Sequence, residues 1–386
     1  MVRTMESRSL PIGREKDMLV YISLTVAVLV LAAFVKNSEY AQGYISGYRK
    51  GGVDRQQAVN ITAAAGIYLL LTGVSACRIA VGNDYWVYRE NFKLIYMGRD
   101  VASEPGFNFI VYWMQKLLGY NNYLPIFGLF SVVTVAFMVK AIYDQGEWFW
   151  GVIFLLMTNG YYFQSLNTVR YYLVIAMVMY AVKFVIRKEY GKFICWILIA
   201  ALFHKTVLLV IPGYLVIRWI CDKRLNKWLI AAGGLMILSM IFLQDFYRNI
   251  IFRFYPYYED TAFDNGEVSL INILRCLCCL ILALMCYKDS IKDRKHMQFY
   301  FWANTVGLII NTFGSFIPEV TRIANYFCVF QIFLVSGCLF HMKKGPWKTF
   351  VTIGTLSAFT IYFMFFLKTA YNVDIRLLPY LNWIFN

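Results

Sequence analysis

Long apolar runs separated by short polar segments recur along the whole chain. An apolar helix needs about 20 residues to cross a bilayer, with a usual range of about 17–25. The pattern therefore predicts membrane-spanning helices near residues 18–35, 58–81, 122–143, 147–165, 168–187, 227–244, 269–287, 298–316, 321–341 and 347–367. Because the sequence contains no long linker or low-complexity tract, we expect a single integral membrane domain over 18–386, preceded by a polar N-terminal tail over 1–17.

One further apolar run, from Phe193 to Ile217, has Lys and Arg at both ends. Basic loops favour the cytoplasmic side, so two basic flanks predict that the run enters the membrane and returns. Its first arm, 192–203, provides only about 18 Å of helix against a hydrocarbon core of about 30 Å. We expect a hairpin that reverses at His204 and Lys205. The alternative is one long tilted helix, which places Lys205 in lipid at a cost of a few kcal/mol.

With the hairpin counted as two helices, the total is about twelve. The predicted fold is all-α: a polytopic, GT-C-like bundle of transmembrane helices with both termini outside. Residues 105–119 have apolar positions at helical spacing but are too short to span a bilayer, and they predict an interfacial helix on the outer surface.

Composition supports the membrane assignment. Hydrophobic residues make up 60% of the chain and charged residues only 15%, with a mean hydropathy of +0.55, whereas soluble domains carry about 25% charged residues. This excludes a water-soluble enzyme, a secreted disulfide scaffold and a disordered protein. The net charge is +15. The segments assigned to the cytoplasm hold 20 Lys and Arg against 8 Asp and Glu, so positive-inside topology explains the excess without a nucleic-acid partner.

Polar and charged side chains collect at the predicted outer ends of the helices. Charged groups at membrane depth either line a polar cavity or pair structurally. Ordinary alternatives exist for single residues, since a loop carboxylate can cap a helix and an interfacial arginine can snorkel. Cations that converge on one face fit an anionic head group, such as a lipid-linked pyrophosphate. The candidates are Asp84, Tyr88, Glu104, Asn167, Arg170, His204, Lys205, Glu319 and Arg322.

Several common catalytic motifs are absent from the sequence. It contains no P-loop, no HExxH and no acidic metal pair, and its nine cysteines lack zinc-ligand spacing. We therefore expect no cofactor and no metal, and a lipid-linked substrate at the outer leaflet.

Taken in order, these motifs resemble those of a known family. The chain contains Gly82-Asn-Asp84-x-x-x-Tyr88, then Glu104-Pro-Gly-Phe and Asn167-x-x-Arg170. It continues with Leu-Phe-His204-Lys-Thr and Arg322-x-x-x-Tyr, and a terminal Leu-Pro-Tyr. This order resembles the EpsG family of Wzy-like exopolysaccharide polymerases over roughly residues 60–386. The chain departs from the pattern at Asn83, where a small hydroxyl residue is expected, and at Tyr171, where Gln is common.

The resemblance implies a glycosyltransferase at the outer face of the bacterial cytoplasmic membrane. It polymerises undecaprenyl-pyrophosphate-linked repeat units into exopolysaccharide or capsule, without a metal and with inversion. Its partners are the lipid-linked glycan, membrane lipid and the flippase and chain-length regulator of the same pathway. In this hypothesis His204, Asp84 and Arg170 are catalytic, and either His204 or Asp84 is the base. The substrate-binding residues are Arg322, Lys205, Tyr88, Glu104, Asn167 and Glu319.

Other functions compete with this one. A polysaccharide ligase uses the same chemistry with another acceptor. A lipid-linked glycan flippase or transporter predicts inverted repeats with paired broken helices, whereas only one broken hairpin is evident. A membrane acyltransferase predicts an intramembrane histidine served from the cytoplasm, whereas His204 is expected to face outward.

Overall fold

The computed structural model describes residues 14–47, 54–223, 227–254, 259, 261, 266, 268–371 and 375–384. Over these residues the protein is a helical bundle without β-strands. Residues 1–13 of the predicted polar tail lie outside the described part, and the first helix starts at Arg14.

The helices follow the predicted apolar runs. In chain order they are α1 (Arg14–Ala33), α2 (Ser38–Ser46), α3 (Arg55–Ala76), α4 (Tyr85–Tyr96), α5 (Pro105–Leu118), α6 (Leu124–Gln145), α7 (Phe149–Thr158), α8 (Tyr161–Gln164), α9 (Val169–Ile186), α10 (Tyr190–Ala201), α11 (Val210–Asp222), α12 (Lys227–Phe242), α13 (Gln244–Phe254), α14 (Leu270–Met285), α15 (Lys295–Phe313), α16 (Val320–Cys328), α17 (Gln331–His341) and α18 (Pro346–Thr369). A 3₁₀ turn over Lys205–Leu209 precedes α11, and a π-helical turn over Tyr287–Ile291 follows α14.

Five helical units in the described chain are long and apolar enough to cross a membrane, namely α3, α6, α9, α16 with α17, and α18. The number rises to seven if two sharply bent pairs each count as one span: α1 with α2, at 82°, and α12 with α13, at 79°. The protein is thus a multi-pass membrane protein, although these criteria do not confirm twelve helices. One predicted span, 147–165, is divided between α7 and α8 at Gly160, whose φ is +76°.

Burial divides the spans into central and peripheral ones. The protein buries 83% of the most apolar stretch of α9 and of the α16–α17 unit, but 28% of that of α3 and 17% of that of α18. Apolar side chains that no protein covers fit contact with lipid tails. The centre of the bundle is therefore α9, which packs against α6 and α10.

The predicted reversal at His204 and Lys205 is confirmed by contacts between the two ends of the run. Lys188 Nζ, before α10, lies 2.8 Å from Asp222 Oδ2 at the end of α11. Phe193 and Tyr214 stack with ring centroids 5.9 Å apart. The chain therefore returns to its starting level, so the alternative of one long tilted helix is wrong.

The short helix predicted over 105–119 is present as α5. Phe107 and Val111 are buried on one face, whereas Phe109 and Leu117, on the other, are 65% and 77% exposed. The backbone N–H of Gly106 donates to the carbonyl of Leu202 at 3.0 Å, which fixes the start of α5 to the hairpin. Its place on the outer surface stays a prediction.

The C-terminal segment 375–384 runs along the segment 77–83 that follows α3. Backbone N–H groups of Ile79 and Gly82 donate to the carbonyls of Leu381 and Arg376 at 2.9 and 2.8 Å. In return, the backbone N–H of Trp383, in the C-terminal segment, donates to the carbonyl of Cys77 at 3.0 Å. These bonds hold the loop that leads into Asp84.

Candidate functional site

The loop before α4 brings Asp84 against the start of α9. Asn167 Oδ1 accepts the backbone N–H of Asp84 at 3.0 Å, and the Thr168 hydroxyl donates to Asp84 Oδ2 at 3.2 Å. Gly82 makes this approach possible, because its φ is +93° and a Cβ there lies 2.7 Å from the Asn167 Cα. Asn167 therefore acts as a brace for the loop that carries Asp84.

Arg170, in the first turn of α9, lies in a half-buried ion pair. Its Nη1 is 2.5 Å from Glu104 Oε2, and both side chains are mostly buried. The guanidinium lies over the rings of Phe107 and Tyr88, at 5.2 and 5.9 Å from their centroids. Its backbone N–H also faces the hydroxyl of Tyr88 at 3.4 Å. Aromatic faces and a carboxylate together fix the orientation of the cation.

The tip of the hairpin meets the same carboxylate. Glu104 Oε1 accepts the backbone N–H of Lys205 at 3.2 Å, so one side chain links α5, α9 and the hairpin. Next to it, His204 Nδ1 and the Thr206 hydroxyl are 2.7 Å apart, and that hydroxyl lies 3.1 Å from the hydroxyl of Tyr326 in α16. The imidazole is therefore held by one hydrogen bond at Nδ1, from a hydroxyl that Tyr326 also contacts.

The start of α16 supplies the remaining candidates. Arg322 Nε is 3.2 Å from Glu319 Oε2, and Glu319 adopts a left-handed φ of +53° just before the helix. The hydroxyl of Tyr171 donates to the carbonyl of Arg322 at 2.7 Å, which ties α16 to α9. Tyr171 also packs edge-on against His204, with ring centroids 5.5 Å apart.

All nine candidates thus belong to one connected network at one end of the bundle, although they come from five separate stretches of sequence. Sequence reasoning did not single out Thr168, Thr206 or Tyr171, which supply hydroxyl bridges within it. The one feature of the sequence that could have indicated these bridges is that hydroxyl residues lie close to Arg170 and His204 in the chain. Tyr171, considered only as a departure from the family pattern, has a structural role of its own.

An apolar cavity of about 450 Å³ adjoins this network. Its polar lining residues are His204, Lys205, Thr206, Glu319 and Arg322. The remaining lining is mainly aliphatic and comes from the hairpin, α13 and the start of α16: Leu208, Leu209, Ile250, Ile251, Ile317, Pro318 and Ile323. A site lined by two cations and by aliphatic walls suits a ligand that has an anionic head and an apolar tail.

The electrostatics of the site keep His204 uncharged. His204 lies in the connection between α10 and the 3₁₀ turn, outside the helices long enough to span. Burial lowers its pKa to about 3, assisted by the positive charges of Arg170, Arg322 and Lys205. At neutral pH its imidazole is therefore neutral and has a lone pair available.

Within the described residues, no group of three or more His, Cys, Asp or Glu side chains is arranged to hold a metal ion. The permanent cations near His204 are instead Arg170, Arg322 and Lys205.

The model of the EpsG family matches residues 61–382, which is most of the chain. The chain belongs to the EpsG family. This is a family of Wzy-like polymerases with a glycosyltransferase-like activity, and the match includes every residue of the network described above. Neither a curated protein nor a solved structure matches the chain significantly. Family membership therefore supports a polymerase of exopolysaccharide in a membrane.

Proposed function

We propose that this EpsG protein polymerises undecaprenyl-pyrophosphate-linked repeat units at the outer face of the bacterial cytoplasmic membrane. The single observation that carries the proposal is that His204, Lys205 and Arg322 line an aliphatic cavity. Arg170 joins them through Glu104, which pairs with Arg170 and accepts the backbone N–H of Lys205. Pyrophosphate fits the cations and a polyprenyl chain fits the cavity. The hairpin and the positive-inside charge distribution support a single domain of about twelve helices with this site facing outward.

The proposed reaction is a direct displacement. A sugar hydroxyl of the new repeat unit attacks the anomeric carbon of the growing glycan, whose bond to the pyrophosphate oxygen breaks. The electron pair leaves with undecaprenyl pyrophosphate, and the anomeric configuration inverts. Arg170 and Arg322, with Lys205 nearby, stabilise the negative charge that develops on the leaving group. The proposal assigns this task to the three side chains and not to a metal ion.

We assign the base role to His204, since it lines the cavity together with Arg322. With a pKa of about 3 the free imidazole is a weak base. Burial is the main cause of this low pKa, and the nearby positive charges add to it. A bound pyrophosphate adds negative charge beside Arg170 and Arg322 and offsets the contribution of these charges. Substrate binding therefore makes His204 a stronger base at the step in which it accepts the proton of the sugar hydroxyl. Asp84, braced by Asn167 and Thr168, positions the acceptor sugar.

The remaining candidates have supporting roles in this proposal. Glu104 and Tyr88 orient Arg170, and Glu319 orients Arg322, through the contacts described above. Asn167 fixes the loop of Asp84. A flippase and a chain-length regulator of the same pathway are proposed as its protein partners.

The test is reconstitution of the purified protein in liposomes with a synthetic pyrophosphate-linked repeat unit, with chain lengthening scored on gels. Arg170→Ala and His204→Ala are each expected to lower the rate by about 10²-fold or more. Arg99→Ala, which removes an exposed arginine in the connection between α4 and α5, is the control. Variants at 170 or 204 that insert normally and polymerise at the wild-type rate contradict the site. Transfer of one finished glycan without lengthening identifies a ligase instead.

A further inference from the structure

A second polar cavity lies at the opposite end of the bundle from the network of Arg170. Arg170 and Arg187 flank α9 at its two ends, about 26 Å apart along a helix that rises 1.5 Å per residue. The cavity beside Arg187 has a volume of about 640 Å³. It lies at the end that the charge distribution assigns to the cytoplasm, and the polymerase reaction proposed above does not use it.

Four permanent cations from the ends of α9, α11 and α15 line this cavity, and one of them, Arg218, is paired with Asp222 at 2.7 Å. Arg294 Nη1 donates to the carbonyl of Asp289 at 2.7 Å, and Lys295 Nζ donates to the carbonyl of Cys221. No described carboxylate forms an ion pair with either side chain. The lining cations are Arg187, Arg218, Arg294 and Lys295.

Three carboxylates also line the cavity, and two have partners. Glu189 pairs with Lys192 and lies 3.8 Å from Arg187. Glu147 Oε2 lies 2.7 Å from His341 Nε2 and 3.3 Å from His296 Nε2. Asp293 is the third. The lining therefore keeps a positive excess while presenting an acceptor in Glu147.

The second oxygen of Glu147 is the independent sign of a ligand. Glu147 is 6% exposed, and its Oε1 has no hydrogen-bond partner among the described residues. A buried carboxylate oxygen left without a donor is costly, and Glu147 lines the cavity, so a bound molecule that carries a donor group offsets this cost. Hydroxyl and amine groups donate, whereas the oxygens of an ionised phosphate accept.

We propose that this cavity is a binding site for a phosphate-bearing polyol. Its phosphate lies against Arg187, Arg294 and Lys295, and one of its hydroxyls donates to Glu147 Oε1. Cavities of about 300–1,000 Å³ hold small ligands, and basic pockets between helices on the cytoplasmic side also bind lipid head groups. A free sugar phosphate and the phosphoglycerol head group of an anionic lipid share this chemistry.

The binding experiment uses the intact protein with Arg170→Gln and Arg322→Gln, so that the outer site does not contribute. One arm titrates glycerol 3-phosphate by calorimetry into protein in phosphatidylcholine nanodiscs. The other arm measures retained phosphatidylglycerol by native mass spectrometry. Saturable binding in the first arm identifies a free ligand. Retention in the second arm alone identifies a lipid head group.

Two sets of variants decide whether the binding belongs to this cavity. In whichever arm binds, Arg294→Gln with Lys295→Gln is expected to raise the Kd or lower retention by about tenfold. Lys343→Gln with Lys344→Gln makes the same change of charge on exposed side chains at this end and serves as the matched control. Equal weakening in both pairs, or no binding in either arm, overturns the proposal.

Glu147→Gln separates ligand recognition from a general loss of structure. It leaves an acceptor for the histidines and places a neutral amide donor where Oε1 was. The Kd for glycerol 3-phosphate is expected to rise, while the Kd for inorganic phosphate falls because a negative charge is gone. Parallel changes for the two probes contradict the assigned hydroxyl contact, and thermal unfolding checks that the variant is folded.

Discussion

The carboxylate of Glu104 lies 2.5 Å from Nη1 of Arg170, and its other oxygen accepts the backbone N–H of Lys205. One side chain therefore sets both the direction of the cation and the position of the hairpin tip. Arg170 still has its Nε buried without a hydrogen-bond partner in the described residues. The ion pair thus orients the guanidinium without using all of its donors.

We expect Glu104→Gln to lower the polymerisation rate by about tenfold, because a neutral amide holds neither Arg170 nor the Lys205 N–H as firmly. The rate of lengthening in liposomes is the measurement. Glu90→Gln is the matched control, since Glu90 forms an ion pair of 3.2 Å with Lys93 on the neighbouring α4 and is well exposed. Equal rates for the two variants contradict the orienting role of Glu104.

Acidification should destabilise the wild type through His204. The folded-state pKa of about 3 lies below the ordinary value of 6.5, so between these values the unfolded chain binds more protons. The stability due to neutral His204 is therefore complete above about pH 6.5 and is lost as the pH falls towards 3. The free energy of unfolding falls by at most about 1.4 kcal/mol per pH unit through this one group.

The measurement is thermal unfolding in detergent from pH 7.5 to 5, with His204→Asn as the comparison. Asn preserves a polar atom near Nδ1 but does not titrate in this range. His296 and His341 are present in both proteins, so the difference between the two curves isolates residue 204. Curves that stay parallel over the whole range disprove the lowered pKa.

Gly82→Ala should disrupt the site from a distance. Its Cβ meets the backbone of Asn167 at 2.7 Å, so the loop of Asp84 must move away from α9. Misplacement by about 1 Å can cost about 10² in rate. Gly98→Ala is the control, because Gly98 also has a positive φ, +68°, but a Cβ there meets nothing within 4 Å. Both variants lose about 1–2 kcal/mol of stability from the backbone strain, and only Gly82→Ala loses activity.

The hairpin makes a topological prediction. Lys188 and Asp222 are in contact, so they lie on the same side of the membrane. A single cysteine placed at either position of a cysteine-free protein should therefore react with an impermeant maleimide from that one side. Both should be protected from outside in intact cells, whereas a cysteine at Met97, whose side chain is 56% exposed, should be labelled there. Labelling of 222 from outside and 97 from inside reverses the proposed orientation.

Sequence reasoning located most helices, because a bilayer demands long apolar runs and the chain supplies them. It also identified the reversal at His204, since basic residues flank both arms. It did not anticipate the division of the 147–165 run at Gly160, because one glycine inside an apolar stretch carries little signal. The total number of spans depends on such breaks.

The sequence singled out the candidate residues one by one, but it did not indicate the contacts that connect them. Charge at membrane depth marked Arg170 and Arg322. The sharing of Glu104 between Arg170 and Lys205 depends on the packing of α5 against the hairpin, which no periodicity encodes. The cavity around Glu147 was missed for the same reason, because its lining comes from helix ends far apart in sequence.

The pairing of segment 375–384 with segment 77–83 has a consequence for biogenesis. During synthesis the two segments are separated by most of the transmembrane bundle, so the early loop enters the membrane long before its support has been translated. Asp84 acquires its final surroundings only after the ribosome has released the support. In the proposed function, glycan transfer therefore starts only after residues 375–384 have been translated and have packed against the loop of Asp84.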